Sequence, residues 1–170
     1  MSIETTLTNG LALEDFDTFF RATFPAVARA AALVARDPGT GQEVAQEAFF
    51  RAYERLDRFR TEEHARRFAF RVAINLARSH VRKHLRVLPS GLEPGDLATV
   101  GGGAWTEVND ALTRLSPRQR AAVVLVDYVG FDAGETGRIL RISAGTVRQH
   151  LMRGRRALRQ ALGEDGEDEP

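Results

Sequence analysis

The chain has 170 residues, no cysteine and a formal net charge of only +1 at pH 7, and this length suits one medium domain or two small ones. The lack of cysteine excludes a disulfide framework and a thiolate metal site. No apolar run approaches the roughly 20 residues of a membrane span, and the start MSIETTLTNG lacks the basic and apolar regions of a signal peptide. We therefore expect a cytoplasmic protein without membrane insertion.

The small net charge hides a strong segregation of charge along the chain. Residues 1–50 carry three arginines against seven acidic residues, whereas residues 51–86 carry ten arginines and Lys83 against four acidic residues. A second basic stretch, 138–159, holds seven arginines and no acidic residue, and the last seven residues hold five acidic ones. Two basic blocks separated by a more neutral stretch predict two surfaces for a polyanion.

Helical periodicity runs through almost the whole sequence and predicts an all-α fold. Apolar residues recur at spacings of three and four through residues 13–36, and Pro25 predicts a kink or a break within that helix. Thr40 and Glu43 have the spacing of a capping box, which predicts a second helix over about 41–56.

A third helix and a linker come next. Thr61 is placed to cap a long helix over about 62–86. Residues 87–104 are rich in proline and glycine and poor in large side chains, which indicates a flexible linker. The sequence therefore predicts two small helical domains, one on each side of this linker.

The residues after the linker carry clear signals for helix ends. Thr106 is placed to cap a helix that ends at Leu115. Ser116 and Gln119 have capping-box spacing, with a proline at the first helical position, and predict a helix that runs to about Tyr128.

A helix-turn-helix is predicted at the end of the second domain. Asp132 and Glu135 form another capping-box pattern, which opens a short helix that ends at Leu140. After a three-residue turn, Ser143 is placed to cap a last helix over 144–162. In such a unit the second helix enters the major groove of DNA.

The last helix has two chemically distinct sides. Apolar or small residues fall on one side at spacings of three and four: Val147, Leu151, Gly154, Leu158 and Leu162. The other side carries Arg148, Gln149, Met152, Arg153 and Arg156. Arginine binds guanine and glutamine binds adenine in two-point contacts, and further arginines neutralise phosphates. A solvated surface helix is the alternative, but such a helix normally mixes both signs of charge, so DNA binding is favoured.

Four segments in order carry a resemblance that extends through both domains: GQEVAQEAFFRAYERLDRF, ARRFAFRVAINLARSHVRKH, ALTRLSPRQRAAVVLVDYVGF and ISAGTVRQHLMRGRRALR. Together they resemble a sigma factor of the extracytoplasmic-function group of the sigma-70 superfamily. The resemblance implies a region 2-like domain over 11–86, a linker over 87–104, a region 4-like domain over 105–162 and an acidic tail over 163–170. It implies a non-enzymatic protein without cofactor, metal or small-molecule substrate, which directs promoter-specific initiation of transcription and aids promoter melting.

The resemblance also implies contacts with core RNA polymerase, at the clamp helices of the β′ subunit and at the β flap. The residues that match the family's β′-docking helix are Glu43, Gln46, Glu47, Phe49 and Phe50. The helical spacing of Phe49 is equally consistent with a place in the core. Many members of the family are held inactive by an anti-sigma factor, so such a partner is expected here.

Two promoter elements are expected to meet two different helices. The residues that match contacts to the minus-ten element are Arg60, Arg71, Asn75, Arg78, Arg82 and Lys83, and the loop at about 57–64 matches the loop that receives a flipped base. The residues that match or neighbour contacts to the minus-thirty-five element are Thr146, Arg148, Gln149, His150, Met152, Arg153 and Arg156. His150 is expected on an exposed flank, and the four histidines lack the spacing of metal ligands.

The sequence departs from the family pattern at a few positions. Phe68 stands where tryptophan is usual, and Thr136 and Gly137 stand where an aliphatic residue and alanine are usual. Glycine costs about 1 kcal/mol relative to alanine within a helix, so we expect a soft second domain. The acidic tail is interpreted either as a solubilising end or as a competitor of DNA for the adjacent basic helix.

The sequence is less consistent with two other classes of function. A simple helix-turn-helix repressor or activator would explain the last third of the chain but not the basic helix around Asn75, and it would usually need a dimerisation element. An enzyme has little support, because the sequence has no phosphate-binding loop, nucleophile elbow or metal cluster.

Overall fold

A computed structural model describes residues 13–87 and 105–163, and the regular elements in these ranges are helices. The N-terminal unit contains α1 (Leu13–Ala35), α2 (Pro38–Tyr53), a 3-10 turn (Leu56–Arg58) and α3 (Glu62–Val87). The predicted linker beyond Val87 and the acidic tail beyond Gly163 lie outside the described residues. None of the described helices is both long enough and apolar enough to cross a membrane.

The C-terminal unit contains four α-helices. They are α4 (Trp105–Thr113), α5 (Pro117–Val123) with a π-helical continuation (Val124–Tyr128), α6 (Ala133–Leu140) and α7 (Ala144–Leu162). Three predicted N-caps are confirmed: Ser116 and Asp132 each form a complete capping box, and the Ser143 hydroxyl accepts the amide of Thr146 at 3.0 Å. Both helices of the predicted helix-turn-helix, α6 and α7, therefore begin at the residues whose side chains cap them.

The predicted start of α2 is wrong by one turn. The helix begins at Pro38, and the Asp37 carboxylate accepts the amide of Thr40 at 2.6 Å. Aspartate is a strong N-cap and proline fits the first helical position, so this pair defines the start ahead of the Thr40–Glu43 pattern. Thr40 is instead buried, with its hydroxyl 3.4 Å from a ring nitrogen of His80.

Two further boundaries differ from the sequence prediction. Pro25 lies inside a helix that continues to Ala35, so α1 has no break. Buried Thr23 and Val27 on either side hold this helix in the bundle, which offsets the backbone hydrogen bond that proline cannot donate. α4 begins at Trp105, so Thr106 lies within the helix.

The helices of each unit enclose a buried core. In the N-terminal unit α1, α2 and α3 pack on one another, and in the C-terminal unit α5 and α6 pack on α7. Buried apolar residues of the two units form one contiguous cluster. Across the junction, Phe70 of α3 meets Phe131 edge-on, with ring centroids 5.5 Å apart.

Arg66 and Arg67 of α3 reinforce this junction. The Arg66 guanidinium lies 5.1 Å from the ring centroid of Phe70 and 5.2 Å from that of Phe131, and it donates to the carbonyl of Val129 at 3.2 Å. Arg67 forms an ion pair of 2.7 Å with Glu135. The two units therefore close on each other through apolar, cation–π and charged contacts.

Arg120 of α5 is a buried cation that organises the C-terminal unit. It is 3% exposed and donates to the carbonyls of Leu112, Thr113 and Leu115 at 2.8–3.3 Å. The three carbonyls lie in the last turn of α4 and in the two residues after it, and that of Leu112 also accepts the amide of Leu115 at 3.2 Å. The guanidinium therefore adds donors at a helix end, where backbone donors are fewest. A fourth contact, at 3.5 Å, reaches the carbonyl of Val34 in α1.

Candidate nucleic-acid interface

The turn between α6 and α7 is tight and depends on one glycine. The amide of Ile142 donates to the carbonyl of Gly137 at 3.0 Å, and Arg141 ends α6 in the left-handed region at φ 58°. A Cβ atom on Gly137 would lie 2.7 Å from the carbonyl oxygen of Ile142. This approach is closer than van der Waals contact, so the turn favours glycine at this position, where the resemblance led us to expect alanine.

The apolar side of α7 is buried against the rest of the C-terminal unit. Val147, Leu151 and Gly154 are buried, as predicted, and Leu158 is half-buried. Leu162 is 47% exposed, so the buried stripe ends before the last turn. With its apolar side fixed in this way, α7 presents its opposite side to the surroundings.

The exposed side of α7 carries the residues expected to meet the minus-thirty-five element. Those that are exposed are Arg148, Gln149, Met152, Arg153 and Arg156. Thr146 and His150 are half-buried at the edges of this face, and the Thr146 hydroxyl lies 2.8 Å from that of Ser143. The structure thus brings five of the seven predicted residues onto one exposed basic face, which we term the α7 face.

His150 differs from the expectation of an exposed flank. It is half-buried, and among the described residues its Nε2 atom has no hydrogen-bond partner. Burial lowers the pKa of His150, and the nearby charges of Arg118 and Arg153 lower it further. The imidazole is therefore held in its neutral form beside a cationic surface.

A second basic surface lies along α3. Arg71, Arg82 and Lys83 are exposed, while Asn75 and Arg78 are half-buried. The Arg78 guanidinium donates to the side-chain oxygen of Asn75 at 3.4 Å. These residues were expected at the minus-ten element, and we call this surface the α3 face.

Four of the predicted minus-ten residues line one cavity of about 710 Å³ between α3 and α6. They are Arg71, Asn75, Arg78 and Arg82. Arg60 and Lys83 are exposed but do not line it. Burial lowers the pKa of Arg78, and the charges of Arg82 and Arg118 add to that effect.

Phe68 anchors the beginning of the α3 face. The guanidinium groups of Arg55 and Arg71 lie 5.5 and 5.3 Å from its ring centroid, and the ring of Phe59 packs against it at 5.2 Å. Phe59 is buried and also contacts the ring of His64 at 5.3 Å. The loop at 57–64 is therefore fixed to α3 by aromatic contacts.

Sequence reasoning missed four arginines of this region. Arg51, Arg55, Arg138 and Arg141 line the same cavity as the predicted minus-ten residues. Arg138 and Arg141 lie on the other unit, so no spacing along the chain relates them to α3. An arginine at a predicted helix end, where glycine is usual, was the available signal for Arg141.

The exposed face of α2 carries four of the five predicted polymerase-docking residues. These are Glu43, Gln46, Glu47 and Phe50, and Phe50 is 58% exposed. Phe49 is only 2% exposed and packs against four rings of α1, those of Phe16, Phe19, Phe20 and Phe24. Phe49 therefore supports this α2 face from the core and is not part of it.

Comparisons with known proteins decide the family. The family described as Sigma-70 region 2 matches residues 19–87, and Sigma-70, region 4 matches residues 106–158. The ECF RNA polymerase sigma factor SigM of Mycobacterium tuberculosis is 30% identical over 151 residues, which cover 87% of this chain and 77% of that protein. The chain belongs to the ECF RNA polymerase sigma factors. As a sigma factor of this group, it directs promoter-specific transcription by RNA polymerase.

Other relatives agree with this assignment. The ECF RNA polymerase sigma factor SigW of Bacillus subtilis is 29% identical over 140 residues. The match covers 71% of the present chain and 74% of SigW. The fold is shared with RpoE of Bartonella quintana in complex with the anti-sigma factor NepR, at a TM-score of 0.72 and 22% identity over 90% of this chain and 99% of that one. CnrH in complex with the cytosolic domain of CnrY has a TM-score of 0.67 at 22% identity, over 91% of this chain and 92% of that one.

Proposed function

We propose that the sigma factor reads its promoter with two separate surfaces, the α3 face at the minus-ten element and the α7 face at the minus-thirty-five element. The observation that carries this assignment is the division of α7 into a buried stripe and an exposed basic side. Within the α7 face, Arg148, Gln149 and Arg153 are assigned to base edges, and Arg156 to phosphates.

We assign one domain to each of these two DNA-binding surfaces. Residues 11–86 form the region 2-like domain and residues 105–162 the region 4-like domain. The intervening 87–104 serve as the linker that lets the two domains reach separate DNA elements, and 163–170 form the tail. On the N-terminal domain, the α3 face and the loop at 57–64 are assigned to the melted minus-ten strand.

The exposed α2 face is assigned to core polymerase, at the β′ clamp helices, and the C-terminal domain to the β flap. Gln46 and Phe50 are the sharpest candidates on α2, because a polar group and a large exposed ring both suit a protein partner. The chain acts in the cytoplasm as an initiation factor without catalysis of its own. The two solved structural neighbours are bound to partner proteins, which supports an anti-sigma factor for this chain as well.

Run-off transcription with core polymerase and a cognate promoter tests the proposal. Arg148→Ala and Arg153→Ala should each weaken recognition of the minus-thirty-five element by about 1–3 kcal/mol and leave binding to core polymerase unchanged. Arg114→Ala removes an exposed charge away from both faces and is the matched control. Equal losses in the control, or loss of polymerase binding together with DNA binding, would overturn the assignment.

A further inference from the structure

The cavity between α3 and α6 has an unusual charge composition. Seven arginines line it, and no aspartate or glutamate does. One comes from α2 (Arg51), one from the turn after it (Arg55), three from α3 and two from the end of α6 (Arg138 and Arg141). Its volume of about 710 Å³ lies within the range of sites that hold small organic ligands.

Few of these positive charges are compensated. Within the described parts of the chain, Arg51 is the one member of the seven with a carboxylate at ion-pair distance, that of Glu47 at 2.7 Å. Arg55 and Arg71 stack on an aromatic ring, and Arg78 donates to Asn75. These neutral partners leave the net charge of the cavity strongly positive.

The conformation of Arg141 is a second observation at this site. It occupies the left-handed C-cap of α6 at φ 58° and ψ 48°, where glycine is favoured because it has no Cβ atom. The amide of Ile142 and the carbonyl of Gly137 close a tight turn here, and glycine in place of Arg141 would form that turn without strain. The arginine therefore has a cost to the backbone, and its side chain lies at the wall of the cavity.

Closure of the two units brings like charges together. Arg138 and Arg141 belong to the C-terminal unit, whereas Arg71, Arg78 and Arg82 belong to α3. Repulsion across the cavity opposes the contacts that hold the units together. An anion of several charges between the two walls would replace this repulsion with attraction of both walls to the anion. A ligand that binds the closed arrangement alone shifts the equilibrium towards closure.

We propose that the cavity between α3 and α6 binds a compact polyphosphate anion, such as tripolyphosphate or the phosphate chain of a nucleoside triphosphate, and that this anion holds the two units closed. Arginine suits such a ligand because its planar guanidinium donates two parallel hydrogen bonds to phosphate oxygens. The anion covers part of the α3 face, so its binding opposes binding of promoter DNA there.

Calorimetric titration of the purified full-length protein at about 0.15 M salt, where long-range charge effects are screened, tests the proposal. Tripolyphosphate and GTP are titrated separately, and one saturable site is expected for each. Equal affinities would mean that the phosphates alone are recognised, and tighter binding of GTP would add contacts to the nucleoside. Either result supports the site, whereas no saturable binding of either compound would overturn it.

The decisive variant is the pair Arg138→Gln and Arg141→Gly, which leaves the α3 face intact and relieves the strained backbone. Affinity should fall about tenfold or more, in keeping with the loss of two charge-assisted contacts. The pair Arg114→Gln and Arg159→Gln makes the same change in net charge at exposed positions outside the cavity and should change affinity less than about twofold. Equal losses in both pairs would reduce the effect to net charge and overturn the site.

Closure and DNA binding are measured separately. Dyes on Ala22→Cys and Gln160→Cys, both exposed in a chain without other cysteines, should show increased energy transfer when tripolyphosphate is added. If a single-stranded oligonucleotide binds the unaltered protein and the Arg138/Arg141 variant equally well, and neither protein shows a saturable site for tripolyphosphate, the arginines of α3 serve DNA alone and the proposal is overturned. Because no polymerase or promoter is present, the result is independent of the proposed promoter contacts.

Discussion

Arg67 and Glu135 form an ion pair of 2.7 Å that joins α3 to the capping box of α6. One oxygen of the Glu135 carboxylate accepts from Arg67, while the other accepts the amide of Asp132 at 3.2 Å. A residue that fixes the start of α6 therefore also fixes that helix against the other unit. Helix capping and closure of the two units are coupled through one side chain.

Glu135→Gln should weaken closure while keeping α6 intact, because glutamine at this position preserves a capping box. The Arg67 side chain is half exposed, so the ion pair contributes no more than about 1 kcal/mol. The ratio of closed to open molecules should fall by up to about fivefold, a change that energy transfer between dyes on the two units will report. Glu62→Gln makes the same charge change at an exposed position of α3, and an equal effect there would contradict the role of the ion pair.

Arg120→Leu should destabilise the C-terminal unit by about 3–5 kcal/mol, since it removes the side-chain donor to the carbonyl oxygens of Thr113 and Leu115. Burial lowers the pKa of Arg120 to about 10, with the charge of Arg36 as a smaller cause, so the side chain remains charged at pH 7. Urea unfolding followed by the fluorescence of Trp105, the single tryptophan, measures the loss. Arg118→Leu, at an exposed site two residues away, should change stability by less than about 0.5 kcal/mol.

Thr136→Val should stabilise α6 by about 1 kcal/mol. The residue is fully buried, and its hydroxyl has no hydrogen-bond partner among the described residues. Valine keeps the shape and removes the unsatisfied group. The same substitution at Thr113, whose hydroxyl donates to the carbonyl of Asp110 at 2.6 Å, should not stabilise. A loss of stability on Thr136→Val in thermal unfolding would contradict this account.

Gly137→Ala should destabilise the helix-turn-helix by about 1–3 kcal/mol, because its new methyl group would press on the carbonyl of Ile142. Gly145→Ala, in the first turn of α7, meets only an ordinary contact of 3.7 Å with the Ser143 hydroxyl oxygen and should gain about 0.5–1 kcal/mol. Amide exchange over residues 132–140 measures both effects. Strong protection of that segment in the unaltered protein would show that the expected softness is wrong.

Lowering the pH from 7.5 to 5.5 should destabilise the C-terminal unit through His150. Its folded-state pKa lies below the ordinary value of 6.5, so the unfolded chain binds more protons as the pH falls through that value, and stability is lost. The pKa values of Asp37 and Asp132 are also lowered from the ordinary value of 3.8. These two groups therefore change stability only at pH values near and below 3.8. The stability of the unaltered protein relative to His150→Gln should therefore fall between pH 7.5 and pH 5.5, and parallel pH profiles would refute the assignment.

The sequence alone was sufficient to predict helix starts that depend on neighbouring side chains. Ser116, Asp132 and Ser143 define helix starts through side chains within three residues of the amides they accept, so their spacing alone was informative. The start of α2 was missed because two capping patterns overlap there, and spacing does not rank Asp37 above Thr40. Likewise, the resemblance assigned both Phe49 and Phe50 to the polymerase-docking helix, and the helical spacing of Phe49 left a place in the core equally open.

The closed arrangement of the units was beyond the reach of sequence patterns. Phe70 and Phe131 meet across a long segment of chain, and neither carries a local signal for the other. The same holds for Arg141, whose place at the cavity depends on how α6 packs on α3. Contacts of this kind follow from the shapes of whole surfaces, which a single sequence does not display.

The position of α2 has a consequence for the order of assembly. Its docking face, with Gln46 and Phe50, is exposed while the two units are closed on each other, because α2 packs chiefly on α1 and α3. The ring of Phe49 fixes that face through α1, without help from the C-terminal unit. Under the proposed assignment of α2 to polymerase, the closed protein already offers this face, so polymerase can be engaged before the proposed DNA-reading surfaces separate.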